Sequence, residues 1–307
     1  MSDWHVTTDV EAFEDAAWSF LLADPVRNTV LLSVGATLLR RGVDIYGTGA
    51  PQFGWCRPAG EPVQGAFLRT PPHPALLSGM PTAAAQSLVA MLPTVPAVDG
   101  PMPVVTAFAD AWTAANGQAT EVTARHRLYH LADLTEPQPR PAGAARRAGP
   151  ADRPVLLDWF SAFAEEADEP MAASPQLVDD RIENGGLLLW EADGVPVSMA
   201  GATPPAGGMM RVGPVYTPPE LRGRGYAAGV TAEISRRARD AGQEVVLFTD
   251  LANPTSNALY QRLGYREVQD YGTVRLGSSG SGSGSGSGSS SGSGSVSGSS
   301  SGSHSES

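Results

Sequence analysis

The run from Val215 to Ala227 contains the groups with the clearest chemical use in this chain of 307 residues. Its sequence is VYTPPELRGRGYA, a short apolar stretch followed by a turn with two glycines and two arginines. Gly223 and Gly225 let the backbone approach an anion closely, and the unpaired N–H groups and positive dipole end of a following helix stabilise negative charge. The pattern predicts a site for a phosphate-bearing cofactor, to which Arg222 and Arg224 add two permanent cations.

The helix after this turn is predicted from small and apolar residues that recur at three- and four-residue steps between Ala227 and Ala241, before Gly242. The alternative is a strand-to-helix turn that needs its glycines for geometry alone. Two phosphate-binding motifs are excluded. No Lys-Ser/Thr pair follows the glycines, as a P-loop requires, and the spacing is not the GxGxxG of dinucleotide-binding folds.

A second motif lies downstream of this helix. Residues 244–249 have the continuous apolar pattern of a buried strand, and Asn253 followed by proline is a typical helix start. The predicted helix, NPTSNALYQRLGY, ends at Gly264, and a strand resumes at Tyr265. Together with the RxxGxA pattern of residues 222–227, this segment resembles the GNAT superfamily of N-acetyltransferases.

The resemblance implies a site for acetyl-CoA as cosubstrate, with the pantetheine arm in a slot between the strand before the turn and the strand that ends at Thr249. The diphosphate would lie on the N–H groups of the turn, and the strand end would pair with the pantetheine amides. Asn253 would hold the cofactor from the other wall. The cofactor-binding residues implied in this way are Val215, Tyr216, Thr217, Arg222, Gly223, Arg224, Gly225, Tyr226, Ala227 and Asn253.

Tyr260 matches the family position whose phenol protonates the departing thiolate. A phenol suits this task because it titrates near pH 10, somewhat above a thiol at about 8.5. The alternative is a half-buried helix tyrosine with a packing role.

In the family the acceptor amine attacks the thioester directly within a ternary complex, so no protein nucleophile or metal is needed. Cys56 is accordingly predicted to be a small core residue, and the five histidines form no metal-ligand pattern. The resemblance does not identify the general base, because the strand from Arg211 to Thr217 contains no acidic residue. Asp250 and Glu191, each at the end of a predicted strand, are candidates, although both positions also suit a structural cap or a solvated strand end.

The chain is long for one such domain, and an internal repeat indicates a second. Residues 60–72, GEPVQGAFLRTPP, resemble residues 194–205, GVPVSMAGATPP. Each copy follows a strand containing tryptophan, predicts a hairpin, and is preceded by two predicted helices. We therefore predict an α+β fold of tandem GNAT-like halves, each a mixed, mostly antiparallel sheet flanked by helices. Residues 74–92 contain no equivalent of the RxxGxG pattern, so the first half is predicted to be degenerate, that is, to lack the phosphate site. The alternative to a repeat is that the two segments are unrelated hairpins.

The predicted domains are a degenerate GNAT-like domain at 1–124, a connecting strand and linker at 125–149, a catalytic GNAT domain at 150–276 and a disordered Gly/Ser tail at 277–307. Beyond Leu276 the only apolar residue is Val296, so this tail buries too little surface to offset its ordering entropy.

A single cysteine, an acidic first segment and the lack of an apolar run long enough for a bilayer predict a cytoplasmic protein that does not contact membranes. The formal net charge of −11 disfavours nucleic acid as a partner and favours cationic substrates. The acceptor class extends from small-molecule amines to protein amino groups, and the sequence leaves open whether the chain forms a homodimer.

These features predict an acetyl-CoA-dependent N-acetyltransferase, a transferase of the acyltransferase class, which acetylates a primary amine. The alternative from another class is a CoA-binding pseudoenzyme or sensor that keeps the cofactor site but transfers no acyl group. A third interpretation is a nucleotide-binding protein that uses the same turn for ATP or NAD.

Overall fold

The computed structural model describes residues 3–167 and 175–277, so nearly all of the predicted Gly/Ser tail lies outside the described residues. Two halves of the described chain contain the same order of elements. In the amino-terminal half these are β1 (Trp4–Thr7), α1 (Val10–Leu22), α2 (Thr29–Arg41), β2 (Gln52–Cys56), β3 (Gly65–Arg69), β4 (Ala75–Leu77), α3 (Thr82–Leu88), β5 (Ala97–Pro101), α4 (Met102–Asn116) and β6 (Thr120–Leu131). In the carboxyl-terminal half they are β7 (Ala144–Arg147), α5 (Arg153–Ala167), α6 (Pro175–Glu183), β8 (Leu187–Ala192), β9 (Val195–Ala202), β10 (Met209–Tyr216), α7 (Tyr226–Asp240), β11 (Glu244–Asp250), α8 (Pro254–Arg262) and β12 (Tyr265–Leu276).

All of these strands join into one twelve-stranded sheet in the order β1-β2-β3-β4-β5-β12-β6-β11-β10-β9-β8-β7. The order is symmetric, because each strand of one half takes the position that mirrors its counterpart in the other half. Strand pairs are antiparallel except for β4 with β5 and β10 with β11, which are parallel. The predicted α+β fold of tandem, mostly antiparallel halves is confirmed.

The last strand of each half lies inside the sheet of the other half. Strand β6 pairs with β11, β12 pairs with β5, and β6 and β12 pair with each other along their whole length. Arg127 on β6 reinforces the last of these pairings through ion pairs with Asp270 (2.6 Å) and Glu267 (2.8 Å) on β12. Residues from Arg125 onward, which the sequence suggested as a connection, therefore form part of a central strand.

The helices form a layer on each face of the sheet. Alternate residues of β11 show the division: Val245 and Leu247 pack with α7, whereas Val246 packs on the opposite face with Val26, between α1 and α2. Helices α1, α2, α5 and α6 cover one face, here called the α1/α5 face, and α3, α4, α7 and α8 cover the other, the α3/α7 face. Among the residues described, no helix combines the length and apolar character needed to cross a bilayer.

On the α1/α5 face the halves are joined by an ion cluster between α2 and α6. The Asp180 carboxylate, only 6% exposed, accepts hydrogen bonds from Arg40 (2.7 and 3.0 Å) and Arg41 (2.5 Å). Burial raises the pKa of Asp180, but the hydrogen bonds from the two guanidinium groups outweigh burial and hold the pKa below its usual value. Because the folded-state pKa is lowered, the stabilisation is complete above the unfolded-state pKa, about 4, and is lost as the pH falls through the lowered value.

We expect Asp180→Asn to lower the free energy of unfolding by about 2 kcal/mol at neutral pH, because Arg40 loses its counter-charge and Arg41 keeps only the exposed Glu183. Urea unfolding of the purified protein measures this loss. The matched control is Asp179→Asn on the same helix. Asp179 is 48% exposed and pairs with an exposed Arg153, so this change is expected to cost under about 0.5 kcal/mol. Equal losses in the two variants would show that the buried cluster adds nothing beyond a surface ion pair.

Candidate active site

The parallel strands β10 and β11 separate at their carboxyl ends. They pair from Met209 opposite Glu244 to Val212 opposite Leu247, but β10 continues to Tyr216 and β11 to Asp250. The pairing of β10 with β9 also shifts register between Val212 and Val215. The proline at position 214 in this irregular stretch has no N–H to donate to a neighbouring strand. The result is a gap between the strand ends, here called the β10/β11 gap.

The glycine turn lies directly beyond the end of β10. Gly223 and Gly225 have φ angles of +76° and +81°, a left-handed conformation that favours glycine. Gly225 is the residue before the first turn of α7 and makes no side-chain cap, so the first N–H groups of the helix keep their capacity to bind an anion. A Cβ placed on Gly223 would have no heavy atom within 4 Å. The turn and the first residues of α7, Tyr226 and Ala227, therefore form an open cradle of backbone donors.

The Arg222 side chain ties this cradle to its surroundings. Its Nε donates to the carbonyl oxygen of Thr217 (2.9 Å), and its Nη2 lies 2.7 and 2.8 Å from the carboxylate oxygens of Glu166 at the end of α5. The guanidinium group also lies over the ring of Tyr216. Arg224 is exposed, and its one hydrogen bond within the described residues is a long one, 3.5 Å, to the carbonyl of Glu220. Arg222 thus has a structural role that the sequence did not reveal.

The end of β10 is fixed on the side of β9. Val215 and Tyr216 pair with β9, and the buried Ser198 hydroxyl donates to the Tyr216 carbonyl (2.9 Å) while lying 2.8 Å from the Thr217 hydroxyl. The other edge of this segment faces the β10/β11 gap. The predicted segment Val215–Thr217 is therefore a held strand edge with backbone groups directed at the gap.

Helix α8 begins on the other side of the gap. Asn253 caps it by accepting a hydrogen bond from the N–H of Ser256 (3.0 Å). Because β10 and β11 are parallel neighbours, the helices that follow them start at the same edge of the sheet. The structure thus brings Asn253 and the glycine cradle to opposite walls of one gap.

Tyr260 lies on α8 with its ring packed edge-on against Tyr265, at a centroid distance of 6.0 Å. It is 9% exposed, and its hydroxyl makes no hydrogen bond to any residue that the structure describes. Burial raises the pKa of Tyr260 to about 12. The phenol is therefore protonated throughout the physiological pH range.

The two predicted candidates for the general base lie in different places. Asp250 is exposed at the end of β11, beside the gap, and accepts a hydrogen bond from the N–H of Ala252 (2.8 Å). Glu191 lies at the end of β8, two strands from β10, and its carboxylate pairs with Arg146 (2.7 Å). Asp250 is therefore close to the other predicted residues, whereas Glu191 is separated from them.

Asn257 was not found from the sequence. Its Nδ2 donates to the carbonyl oxygens of Asp250 (2.8 Å) and Asn253 (2.7 Å), and its Oδ1 accepts from the hydroxyl of Tyr129 (2.9 Å). Tyr129 lies on β6, so the exchanged strand of the amino-terminal half supports the start of α8. The spacing of Asn257 from Asn253, one helical turn, was the available signal, but its partner on β6 could not be read from the sequence.

The amino-terminal half has the corresponding parallel strands β4 and β5 but a different connection to its helix. Gly79 in this connection does not have a left-handed φ, and Pro81, directly before α3, lacks an N–H. The side chain of Met80 packs against Gly65 instead of leaving open space. This half keeps the strand arrangement without the cradle.

Comparisons with known proteins agree with this geometry. The sequence model of the acetyltransferase (GNAT) family matches residues 153–265. No curated protein matches the chain. A solved Drosophila protein has a TM-score of 0.64 at 14% identity, over 90% of this chain and 99% of that one. A GNAT-family acetyltransferase from Colwellia psychrerythraea has a TM-score of 0.57 at 10% identity, over 89% and 98%. A GCN5-related N-acetyltransferase from Sphaerobacter thermophilus has a TM-score of 0.54 at 16% identity, over 89% and 95%.

At these identities the solved structures establish a shared fold along most of the chain, and the family match covers the segment that contains the β10/β11 gap, the cradle and α8. Residues 153–265 of this chain are therefore a domain of the GNAT acetyltransferase family.

Proposed function

We propose that the protein is an acetyl-CoA-dependent N-acetyltransferase that acetylates a primary amine by direct attack within a ternary complex. The observation that carries the proposal is the β10/β11 gap, with an uncapped glycine cradle on one wall and the start of α8 on the other. Bound acetyl-CoA supplies an activated acetyl thioester. The chain must then hold the cofactor, orient the amine and handle two protons.

The residues around the gap suit the cofactor. The backbone donors from Gly223 to Ala227 and the positive end of α7 complement a diphosphate. The free edge of Val215–Thr217 offers main-chain groups to the amides of a pantetheine arm. In the proposed site Asn253, whose Oδ1 caps α8, has its Nδ2 left to donate to the cofactor from the opposite wall.

Proton donation is assigned to Tyr260. A phenol with a pKa of about 12 is fully protonated near neutral pH, so its O–H is available to donate a hydrogen bond to the sulfur as negative charge develops there, and the proton passes over as the C–S bond breaks. Its hydroxyl is not engaged with any described residue, unlike that of Tyr265, which lies 2.7 Å from the Ser235 hydroxyl. Tyr260 is thus the tyrosine of this pair whose hydroxyl is available for chemistry.

For proton removal from the amine, Asp250 is the better placed of the two carboxylates. It lies at the end of β11 beside the gap, and one of its oxygens is used by Ala252. Glu191 already neutralises Arg146 and is two strands away, so we retain it as a weaker candidate that would act through water.

We assign different roles to the domains predicted from the sequence. Residues 150–276 form the catalytic domain, residues 1–124 the degenerate one, and residues 125–149 connect them. Strand β6 (Thr120–Leu131) runs from the degenerate domain into the connecting segment, where its Tyr129 donates a hydrogen bond to Asn257 near the start of α8. We infer from this contact that the function of the degenerate domain is to shape the site rather than to bind a second cofactor.

The direct test is release of CoA from acetyl-CoA in the presence of a broad panel of amines. Turnover that depends on the amine supports the proposal. Tight binding of CoA without turnover across the panel would indicate a CoA sensor instead. Affinity for ATP or NAD that acetyl-CoA does not displace would indicate a nucleotide-binding protein.

We expect Gly225→Ala to weaken CoA binding at least about 10-fold, because an L-residue disfavours a φ of +81° and redirects the cradle N–H groups. The measurement is calorimetric titration with CoA. Gly60→Ala is the matched control: Gly60 has the same φ of +81°, and a Cβ there would meet no atom within 4 Å. Both variants should lose about 1 kcal/mol of stability, but only Gly225→Ala should lose affinity. If Gly225→Ala and Gly60→Ala bind CoA with equal affinity, the cradle is not part of the cofactor site.

Tyr260→Phe should lower turnover about 100-fold or more while changing the Kd for CoA less than about 3-fold, because only proton donation is lost. Tyr265→Phe serves as control. It removes a buried hydrogen bond to Ser235, so it should cost about 1 kcal/mol of stability and leave turnover near wild type. Parallel losses of turnover and affinity in Tyr260→Phe would assign Tyr260 a packing role.

A further inference from the structure

A partly buried arginine lies beside the β10/β11 gap on the face opposite the cradle helix. Arg181, on α6, has its guanidinium group 5.5 Å from the centre of the Phe160 ring. A Cβ placed on Gly201 of β9 would lie 3.1 Å from Nη1 of Arg181 and 3.0 Å from the carbonyl oxygen of Gly213. The lack of a side chain at position 201 thus makes room for Arg181 directly against the irregular stretch of β10.

This position is on the α1/α5 face, whereas the cradle leads into α7 on the α3/α7 face. In the proposed complex the cofactor reaches the gap from the α3/α7 face, which leaves the α1/α5 face for the acceptor. Gly213 precedes Val215 by two residues, which is about 7 Å along an extended strand. Arg181 is therefore within the length of a small molecule from the strand end where acyl transfer is proposed.

The charges around Arg181 leave it short of negative partners. Asp180, its neighbour in sequence, is already bound by Arg40, Arg41 and Asn184. Among the residues that the structure describes, no carboxylate makes a hydrogen bond to Arg181.

A second cation lies near Arg181. Arg211 of β10 lies on the same face, since the adjacent Val212 packs towards α7 on the other. Burial and the repulsion from Arg211 lower the pKa of Arg181 to about 10, only partly offset by Tyr46 and Asp180. Both effects disfavour the charged guanidinium, and both would be relieved by a bound anion.

Asp99 of the amino-terminal half also faces this region, where it interacts with Arg211 and His126. Its carboxylate is engaged by the hydroxyl of Thr273 at 2.7 Å, and burial raises its pKa. It therefore offsets part of the charge of Arg211.

We propose that Arg181, assisted by the field of Arg211, binds a carboxylate of the amine acceptor, so that the acceptor is an amino acid or another short amine that carries an acid group. The assignment rests on the proposed acetyltransferase function and specifies its substrate class. A guanidinium group suits this task because its planar donors match a carboxylate in two parallel hydrogen bonds. The positive charge of Arg181 and Arg211 disfavours amines that carry no acid group. The negative net charge of the whole protein would by itself favour such cationic amines.

The first test measures binding without catalysis. With CoA present, we expect N-acetyl amino acids from a panel of all side-chain types to bind at least about 10-fold more tightly than their uncharged amides, as measured by calorimetry. Arg181→Met should abolish this difference, and Arg181→Lys should keep part of it because it retains a point charge. Arg153→Met, at an exposed arginine on α5, is the control and should preserve it.

The second test measures kcat/KM for acetyl transfer to amino acids and to the matching amines that lack the carboxylate. For the amino acid that is the best substrate, we expect kcat/KM to be at least about 10-fold higher than for the matching amine without the carboxylate. In Arg181→Met this preference should disappear, while kcat/KM for the matching amine should change less than about 3-fold. Unchanged CoA affinity in the variant shows that the site has remained folded.

The outcomes separate the two proposals. If simple amines are acetylated as well as or better than amino acids, or if Arg181→Met affects both equally, the carboxylate site is wrong and the acetyltransferase function stands. If carboxylate binding depends on Arg181 but no amine is acetylated, the function is wrong and the anion site stands. If no N-acetyl amino acid binds more tightly than its amide, the carboxylate site is wrong whatever the turnover.

Discussion

The pairing of β6 with β12 is the interaction on which the rest of the structure depends. These two strands are the last of their respective halves, and each completes the sheet of the other half. The ion pairs of Arg127 with Asp270 and Glu267 reinforce this pairing. Because β11 forms one wall of the proposed site and β6 of the other half lies directly beside it, the carboxyl-terminal half has no complete sheet of its own. The site geometry is thus a property of both halves.

The glycine turn and the start of α8 could be predicted from the sequence because both depend on local chemistry. Gly225 requires a left-handed conformation, and Asn253 caps a helix within three residues, so short-range patterns are sufficient to locate both. The internal repeat predicted the two halves for a similar reason, since hairpins and helices are local. The predicted strand at 244–249 and the predicted helix that ends at Gly264 correspond to β11 (Glu244–Asp250) and α8 (Pro254–Arg262).

The features that the sequence did not reveal all depend on distant partners. Strand β6 looked like a connection because its strand pattern carries no information about which strand it joins. In the sequence Asn257 is only a polar helix residue, and its contact with Tyr129 is visible only in the fold. Arg181 likewise has no distinguishing sequence pattern, and its position beside Gly201 and Phe160 is visible only in the fold. The bounds proposed for the domains remain a prediction, and so do the roles of the site residues. The net charge of −11 favoured cationic ligands, but a total charge does not fix the local potential, and around Arg181 the charge of Arg211 adds to its own.

The symmetry of the strand order has an evolutionary consequence. Two identical chains that exchange their terminal strands make a closed homodimer with this same strand order, in which each subunit completes the sheet of the other. Joining two such copies end to end turns a concentration-dependent assembly into a single covalent unit. From that point one copy is free to lose its catalytic machinery, provided that it keeps donating its strand. The amino-terminal half has the form expected of such a retained former subunit.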